Sequence, residues 1–259
     1  MTGKERIQQA LSHAEPDRVP MDFGATATTG IAASVVYRLR KALGLNGPVK
    51  VTEPYQMLGE VDEDLRRELG IDAVGVNTSK NMFGFRNENW KPWTLFDGTP
   101  VLVPGKFNTE PDENGDILMY PEGDRSVPPS ARMPEGGFYF DSIVRQPPID
   151  EDELDVEDNL EEFGPISEEE LDHLRKETER LKDTGAALVG NFADTGFGDI
   201  ALVPAPFLKH PKGIRDVEEW YVSTVTRREY VRRVFEGQCE AALENLPRIH
   251  EVVGEDIDV

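Results

Sequence analysis

Polar side chains that could bind or activate a small molecule lie at the ends of three short apolar runs. Asp22 ends the first run, Asn77 the second and Asn191 the third, and Asp194 follows three residues later. Carboxylates can transfer protons, and carboxamides can orient a substrate through hydrogen bonds. We assign Asp194 as the candidate catalytic residue and Asp22, Asn77 and Asn191 as candidate substrate-binding residues. The alternative for Asp194 is that it caps a following helix.

The apolar runs predict strands over 18–23, 72–77 and 186–192 and from 256 onward, with helices between them. This alternation is typical of a parallel sheet, in which functional groups gather where strands end. The polar residues at the ends of the runs are therefore expected at one edge of the sheet.

Local sequence patterns predict where the intervening helices begin. A Ser or Thr followed three residues later by Glu forms a capping box, and this pattern occurs at 2–5, 167–170 and 226–229. Pro247 favours a break or kink in the long helix predicted after Thr226. Apolar periodicity predicts further helices over 31–43 and 60–69.

Two segments interrupt the alternation of helices and strands. Residues 81–140 contain short alternating runs separated by the turn dipeptides Asp97-Gly98 and Asn114-Gly115, which predict a β-rich insertion packed on the main body. Residues 141–166 are rich in Asp and Glu and predict a solvated acidic linker. We treat 1–259 as one folding unit that carries both segments.

Composition excludes several classes of protein. The chain has 50 acidic and 28 basic residues and a net charge of -22, which disfavours binding to nucleic acid or to anionic membranes. The sequence has no apolar stretch of the roughly 20 residues needed to span a bilayer, and no signal peptide is recognised. One cysteine, Cys239, precludes an internal disulfide, and its position on a helix predicts a core role. We expect a cytoplasmic protein that acts on a small molecule.

Several short motifs carry a family resemblance: Glu15–Pro20, Gly70–Val74 and Ala187–Gly190. In these motifs the chain resembles proteins of the uroporphyrinogen decarboxylase superfamily. The resemblance implies a (β/α)8 TIM barrel whose site lies at the carboxyl ends of the strands. It implies two possible chemistries, decarboxylation of porphyrinogens and zinc-dependent methyl transfer.

The sequence departs from the decarboxylase pattern at two places. That group carries an arginine-rich stretch after the first strand, whereas residues 23–30 contain no arginine here, and the decarboxylase aspartate would fall near Ser79. A polycarboxylate substrate needs fixed cations such as arginines. The β-rich insertion and acidic linker resemble the methyltransferase-related branch, which moves a methyl group between a small substrate or corrinoid protein and a thiol. In that branch zinc is held by a His-x-Cys pair and a distant Cys, which we expect beyond Val259.

The last residues, Gly254–Val259, resemble the phrase that precedes the strand predicted over 72–77. We therefore expect them to open a fourth strand of an incomplete barrel, with the full-length protein an enzyme and this portion inactive alone. Two alternatives stay open: a uroporphyrinogen decarboxylase in porphyrin biosynthesis, and a non-catalytic fragment. A homo-oligomer or a completing chain segment is a possible partner, since an open half-barrel exposes strand edges.

Overall fold

The computed structural model describes residues 1–192 and 198–259, which form a mixed α/β protein with small sheets. The helices in these residues are α1 (Gly3–Leu11), α2 (Ala33–Ala42), α3 (Glu63–Leu69), α4 (Glu168–Leu181), α5 (Val217–Thr226) and α6 (Arg228–Val253). The strands are β1 (Val51–Glu53), β2 (Leu58–Gly59), β3 (Ala73–Asn77), β4 (Lys91–Thr94), β5 (Pro100–Val103), β6 (Ile117–Met119), β7 (Ala131–Met133), β8 (Asp141–Ser142) and β9 (Ala187–Asn191). None of these helices is long and apolar enough to cross a membrane.

Strands β3 and β9 form a parallel pair, so the strands predicted over 72–77 and 186–192 are confirmed. Their register aligns Ala73 with Ala187 at one end and Asn77 with Asn191 at the other. The strand predicted from 256 onward is wrong, because residues 256–259 form no strand, but this segment lies along the other edge of β9, where Gly190 N donates to Val259 O at 2.8 Å. In the described residues this is the one parallel pair, and no closed barrel is detected.

The strand predicted over 18–23 is wrong, because these residues form no strand. Pro20 has no N–H to donate to a sheet. The Arg18 side chain instead binds the carboxylate of Asp72, with Nη1 2.7 Å from Oδ2. One backbone bond, from Asp72 N to Met21 O at 2.8 Å, still places this segment beside β3.

The strand-rich character predicted for 81–140 is present, since β4 to β7 lie between residues 91 and 133, whereas β8 lies at the start of the segment predicted as a linker, 141–166. Strands β4 and β5 pair antiparallel across a turn at Asp97-Gly98, where Gly98 has a φ of +83°. Strands β6, β7 and β8 form a second antiparallel sheet. These strands share one apolar core with α2, in which Val36, Phe83 and Met119 are fully buried. The β-rich segment thus shares its apolar core with α2.

The ends of the helices follow the capping patterns only in part. The Thr2 and Glu5 capping box of α1 is confirmed, with both reciprocal hydrogen bonds present. The cap predicted at Thr226 is wrong: Thr226 is the last residue of α5, and α6 begins after Arg227. Helix α6 also continues through Pro247 to Val253, so it does not end at this proline.

Helices α4 and α6 cover one face of the parallel pair. Leu174 of α4 and Ile249 of α6 are buried in one cluster with Val76 of β3 and Leu188 of β9. Burial of these aliphatic side chains stabilises the layer, because each removes apolar surface from water. This packing brings α4 alongside the carboxyl end of β3.

Candidate functional site

Asn77 and Asn191 lie side by side at the carboxyl ends of β3 and β9. They are partners in the register of the parallel pair, and both are solvent exposed. Asn191 Nδ2 donates to Asn77 Oδ1 at 3.4 Å, and Asn77 Nδ2 donates to Ala25 O at 3.1 Å. Two residues that the sequence assigned to substrate binding are therefore in contact at one edge of the sheet.

Asp22 joins the same edge through the backbone of Ala25. Its Oδ1 accepts a hydrogen bond from Ala25 N at 3.2 Å, while Ala25 O accepts from Asn77. The segment that carries Asp22 thus runs beside β3, and a single residue links it to the pair of amides. Asp194, the candidate catalytic residue, lies outside the described residues.

Glu170 and Ser79 belong to this edge but were not assigned to it from the sequence. Glu170 Oε1 accepts from Ser79 N at 2.9 Å, and Glu170 Oε2 accepts from the Ser79 hydroxyl. The capping pattern at 167–170 predicts that the Glu170 carboxylate accepts a hydrogen bond from Ser167 N. Only half of that box forms, with Ser167 Oγ accepting from Glu170 N. The side chain of Glu170 holds the loop after β3 instead.

His173 contacts the same strand end from the next turn of α4. Its Nε2 lies 3.1 Å from Asn77 O, and since a carbonyl oxygen only accepts, the ring nitrogen is the donor. Residues three apart on a helix share a face, so His173 and Glu170 reach the end of β3 together.

We call the residues at this edge the strand-end cluster: Asp22, Asn77, Ser79, Glu170, His173 and Asn191. Its groups are two carboxylates, two amides, a hydroxyl and an imidazole, which can donate and accept hydrogen bonds to an uncharged or cationic ligand. Glu170 is already engaged by Ser79, so the exposed amides and Asp22 are the groups left to meet a ligand.

The family resemblance implies a zinc ion, but no set of zinc ligands is present in the part of the chain that the structure describes. No group of three His, Cys, Asp or Glu side chains there is placed to hold a metal ion. Cys239 is a free, partly buried thiol on α6. We therefore derive no chemical step through zinc.

No family model, curated protein or solved structure matches the chain. The superfamily resemblance accordingly stays a hypothesis based on short motifs.

Proposed function

We propose that the chain belongs to an enzyme of the uroporphyrinogen decarboxylase superfamily, in the branch that transfers methyl groups. The observation that supports this most directly is the register of Asn77 and Asn191 at the carboxyl ends of a parallel pair. In α/β proteins of this kind, ligands bind outside the carboxyl ends of the strands. The amides would orient a small substrate at that edge.

The order of segments across the sheet also supports a barrel. The segment that contains Met21 lies beside β3, β3 pairs with β9, and β9 is bonded to the segment at Asp258. This order follows the order in sequence, as it does in a (β/α)8 barrel, where consecutive strands are neighbours. We propose that β3 and β9 are neighbouring strands of such a barrel, and that the segments at Met21 and Asp258 lie in the two flanking positions.

Methyl transfer to a thiol requires that the thiol loses its proton as the new sulfur–carbon bond forms and the donor–carbon bond breaks. A carboxylate near the substrate can accept that proton. We propose this role for Asp194, which follows β9 in sequence by three residues. In this proposal Asn77 and Asn191 bind the substrate, and Asp22 lies at the entrance of the site.

Demethylation of methylcobalamin in the presence of 2-mercaptoethanol tests the proposal, followed by the visible absorbance of the corrinoid. Because the zinc ligands are expected beyond Val259, the assay uses the full-length protein, which should accelerate the reaction. In that protein Asn77→Ala and Asn191→Ala should each slow it by about tenfold to a hundredfold, the cost of losing substrate orientation. Asn114→Ala, in an exposed turn far along the chain from the cluster, is the matched control and should keep full activity.

Two outcomes would count against methyl transfer. The first is a rate with the protein equal to the rate without it. The second is equal activity of the site variants and the control. Saturable binding of uroporphyrinogen in calorimetry, lost in the two Asn variants, would favour decarboxylation at the same edge instead.

A further inference from the structure

A concave surface is lined by residues outside the strand-end cluster. It is a groove of about 620 Å³ lined by residues 128–129, 143–145 and 209–212. No lining residue belongs to the strand-end cluster, and the volume falls within the range of about 300–1,000 Å³ typical of small-molecule sites. We call it the basic groove.

The charges that line the basic groove are all positive or titratable to positive. Arg145, Lys209, His210 and Lys212 line it, and no Asp or Glu does. In a chain with 50 acidic and 28 basic residues, this is a local reversal of the overall charge. A groove of this kind attracts an anion that the rest of the surface would repel.

Nearby carboxylates neutralise part of this charge. Lys209 Nζ lies 2.9 Å from Asp124 and 3.0 Å from Glu122, so it already has two counter-ions. Lys212 Nζ has a looser partner, Asp158, at 3.9 Å, and its side chain is 68% exposed. Lys212 therefore has more freedom than Lys209 to meet a ligand.

Arg145 is the cation whose charge is least compensated. Its guanidinium donates to the carbonyl oxygens of Leu208 at 2.6 Å, Ala205 at 2.7 Å and Pro204 at 3.5 Å. In the described residues it forms no ion pair, and its buried Nε has no hydrogen-bond partner. Burial, together with the charge of Arg215, lowers the pKa of Arg145 to about 10. Since buried charges are normally paired, this guanidinium favours an anion beside it.

The rest of the lining is apolar. It consists of rigid or branched hydrocarbon side chains: Pro128, Pro129, Ile143, Val144 and Pro211. The side chain of Val144 is 56% exposed. An exposed apolar side chain beside a poorly compensated cation suits a ligand that has both an anionic head and an apolar body. Inorganic anions would use only the charged half of such a groove.

We propose that the basic groove binds a small monocarboxylate with an aromatic or short aliphatic body. The carboxylate lies against Arg145 and Lys212, and the body packs on the prolines and Val144. This inference is independent of the proposed methyl transfer, because it rests on a different surface.

Calorimetric titration with benzoate and hexanoate, compared with benzamide and inorganic phosphate, tests the proposal. Both carboxylates should bind saturably, whereas benzamide and phosphate should bind at least about tenfold more weakly, since each lacks one half of the interaction. Lys212→Gln should weaken benzoate binding about two- to fivefold, the range expected for an exposed charge pair. Arg145→Met should weaken it by about tenfold or more.

Lys176→Gln is the matched control, because Lys176 is 73% exposed on α4 and does not line the groove. It should leave benzoate binding unchanged. If Arg145→Met fails to fold, Lys212→Gln still tests the site. Absence of saturable benzoate and hexanoate binding, equal binding of phosphate, or equal affinity of Lys212→Gln and the control would each overturn the proposal.

Discussion

Gly75 in β3 lies directly against the carbonyl oxygen of Ala25. A Cβ added to Gly75 would be 1.7 Å from that oxygen and 2.6 Å from Asn77 Nδ2. No side chain fits at such distances, and a backbone carbonyl cannot rotate away as a flexible side chain can. The segment that carries Asp22 can therefore approach the end of β3 only because residue 75 is glycine.

Replacing Gly75 by alanine should separate this segment from β3. We expect Gly75→Ala to lower the free energy of unfolding by at least about 1–3 kcal/mol, the usual cost of overpacking. Gly164→Ala is the control, because a Cβ there meets nothing within 4 Å. Urea unfolding followed by circular dichroism measures both variants. Equal midpoints for Gly75→Ala and wild type would show that the close approach is absent in solution.

A buried ion network fixes the other end of β3. Asp72 is 2% exposed and accepts hydrogen bonds from Arg6 and Arg18, and also from Met21 N at 2.9 Å. Asp72→Asn keeps the shape but removes the charge that compensates Arg6. We expect a loss of about 3 kcal/mol, at the low end for a broken buried pair because Arg6 also binds Asp17.

Denaturant unfolding at pH 7 measures the loss in Asp72→Asn. Asp172→Asn provides the comparison, since Asp172 pairs with Lys176 on the exposed face of α4 and should leave the midpoint almost unchanged. Similar midpoints for the two variants would contradict a structural role for the network at Asp72.

The pair of Asp17 and Arg6 should make stability depend on pH in the acid range. Hydrogen bonds from the Arg6 guanidinium lower the pKa of Asp17 from 3.8 to about 2. A carboxyl whose pKa is lower in the folded state contributes stability above its unfolded value. This contribution is lost as the pH falls from about 4 to about 2.

Unfolding midpoints at several pH values between 7 and 2 measure this contribution. Asp17→Asn should be less stable than wild type at pH 7, and the difference should shrink as the pH falls toward 2. Glu113→Gln, in an exposed turn, should follow the wild-type curve. A constant difference between Asp17→Asn and wild type across the range would exclude the linkage.

Two general rules were sufficient to predict from the sequence that Asn77 and Asn191 lie at the same edge of the sheet. Apolar runs bounded by Gly and polar residues predict buried strands, and parallel strands end at the same edge. The residue-for-residue alignment of the two amides could not be predicted, since register depends on packing between distant segments.

The roles of Glu170 and Arg18 could not be predicted, for a related reason. Glu170 fits a local capping pattern, which gave it a partner nearby in sequence, whereas its actual partner is Ser79, 91 residues away. Arg18 lies in an apolar run that predicts a strand, but its side chain bonds to Asp72 and the run forms no strand. Long-range charged hydrogen bonds outweighed local preference at both positions.

The contact between Glu170 and Ser79 should be measurable as a coupling energy. Glu170 accepts from both the amide and the hydroxyl of Ser79, which is 9% exposed, so this bond is charge assisted and partly shielded from water. In a double-mutant cycle of Ser79→Ala and Glu170→Gln, we expect a coupling of about 1–2 kcal/mol, within the range for contacting residues.

A parallel cycle of Ser79→Ala and Glu169→Gln is the control. Glu169 is the neighbour of Glu170 on α4, but its exposed carboxylate binds Arg86 instead. Its coupling to Ser79 should be close to zero, because the two side chains share no hydrogen bond. Equal coupling in both cycles would mean that the loop after β3 responds to the charge of α4 in general. Coupling confined to Glu170 would establish that this one carboxylate holds the loop beside Asn77.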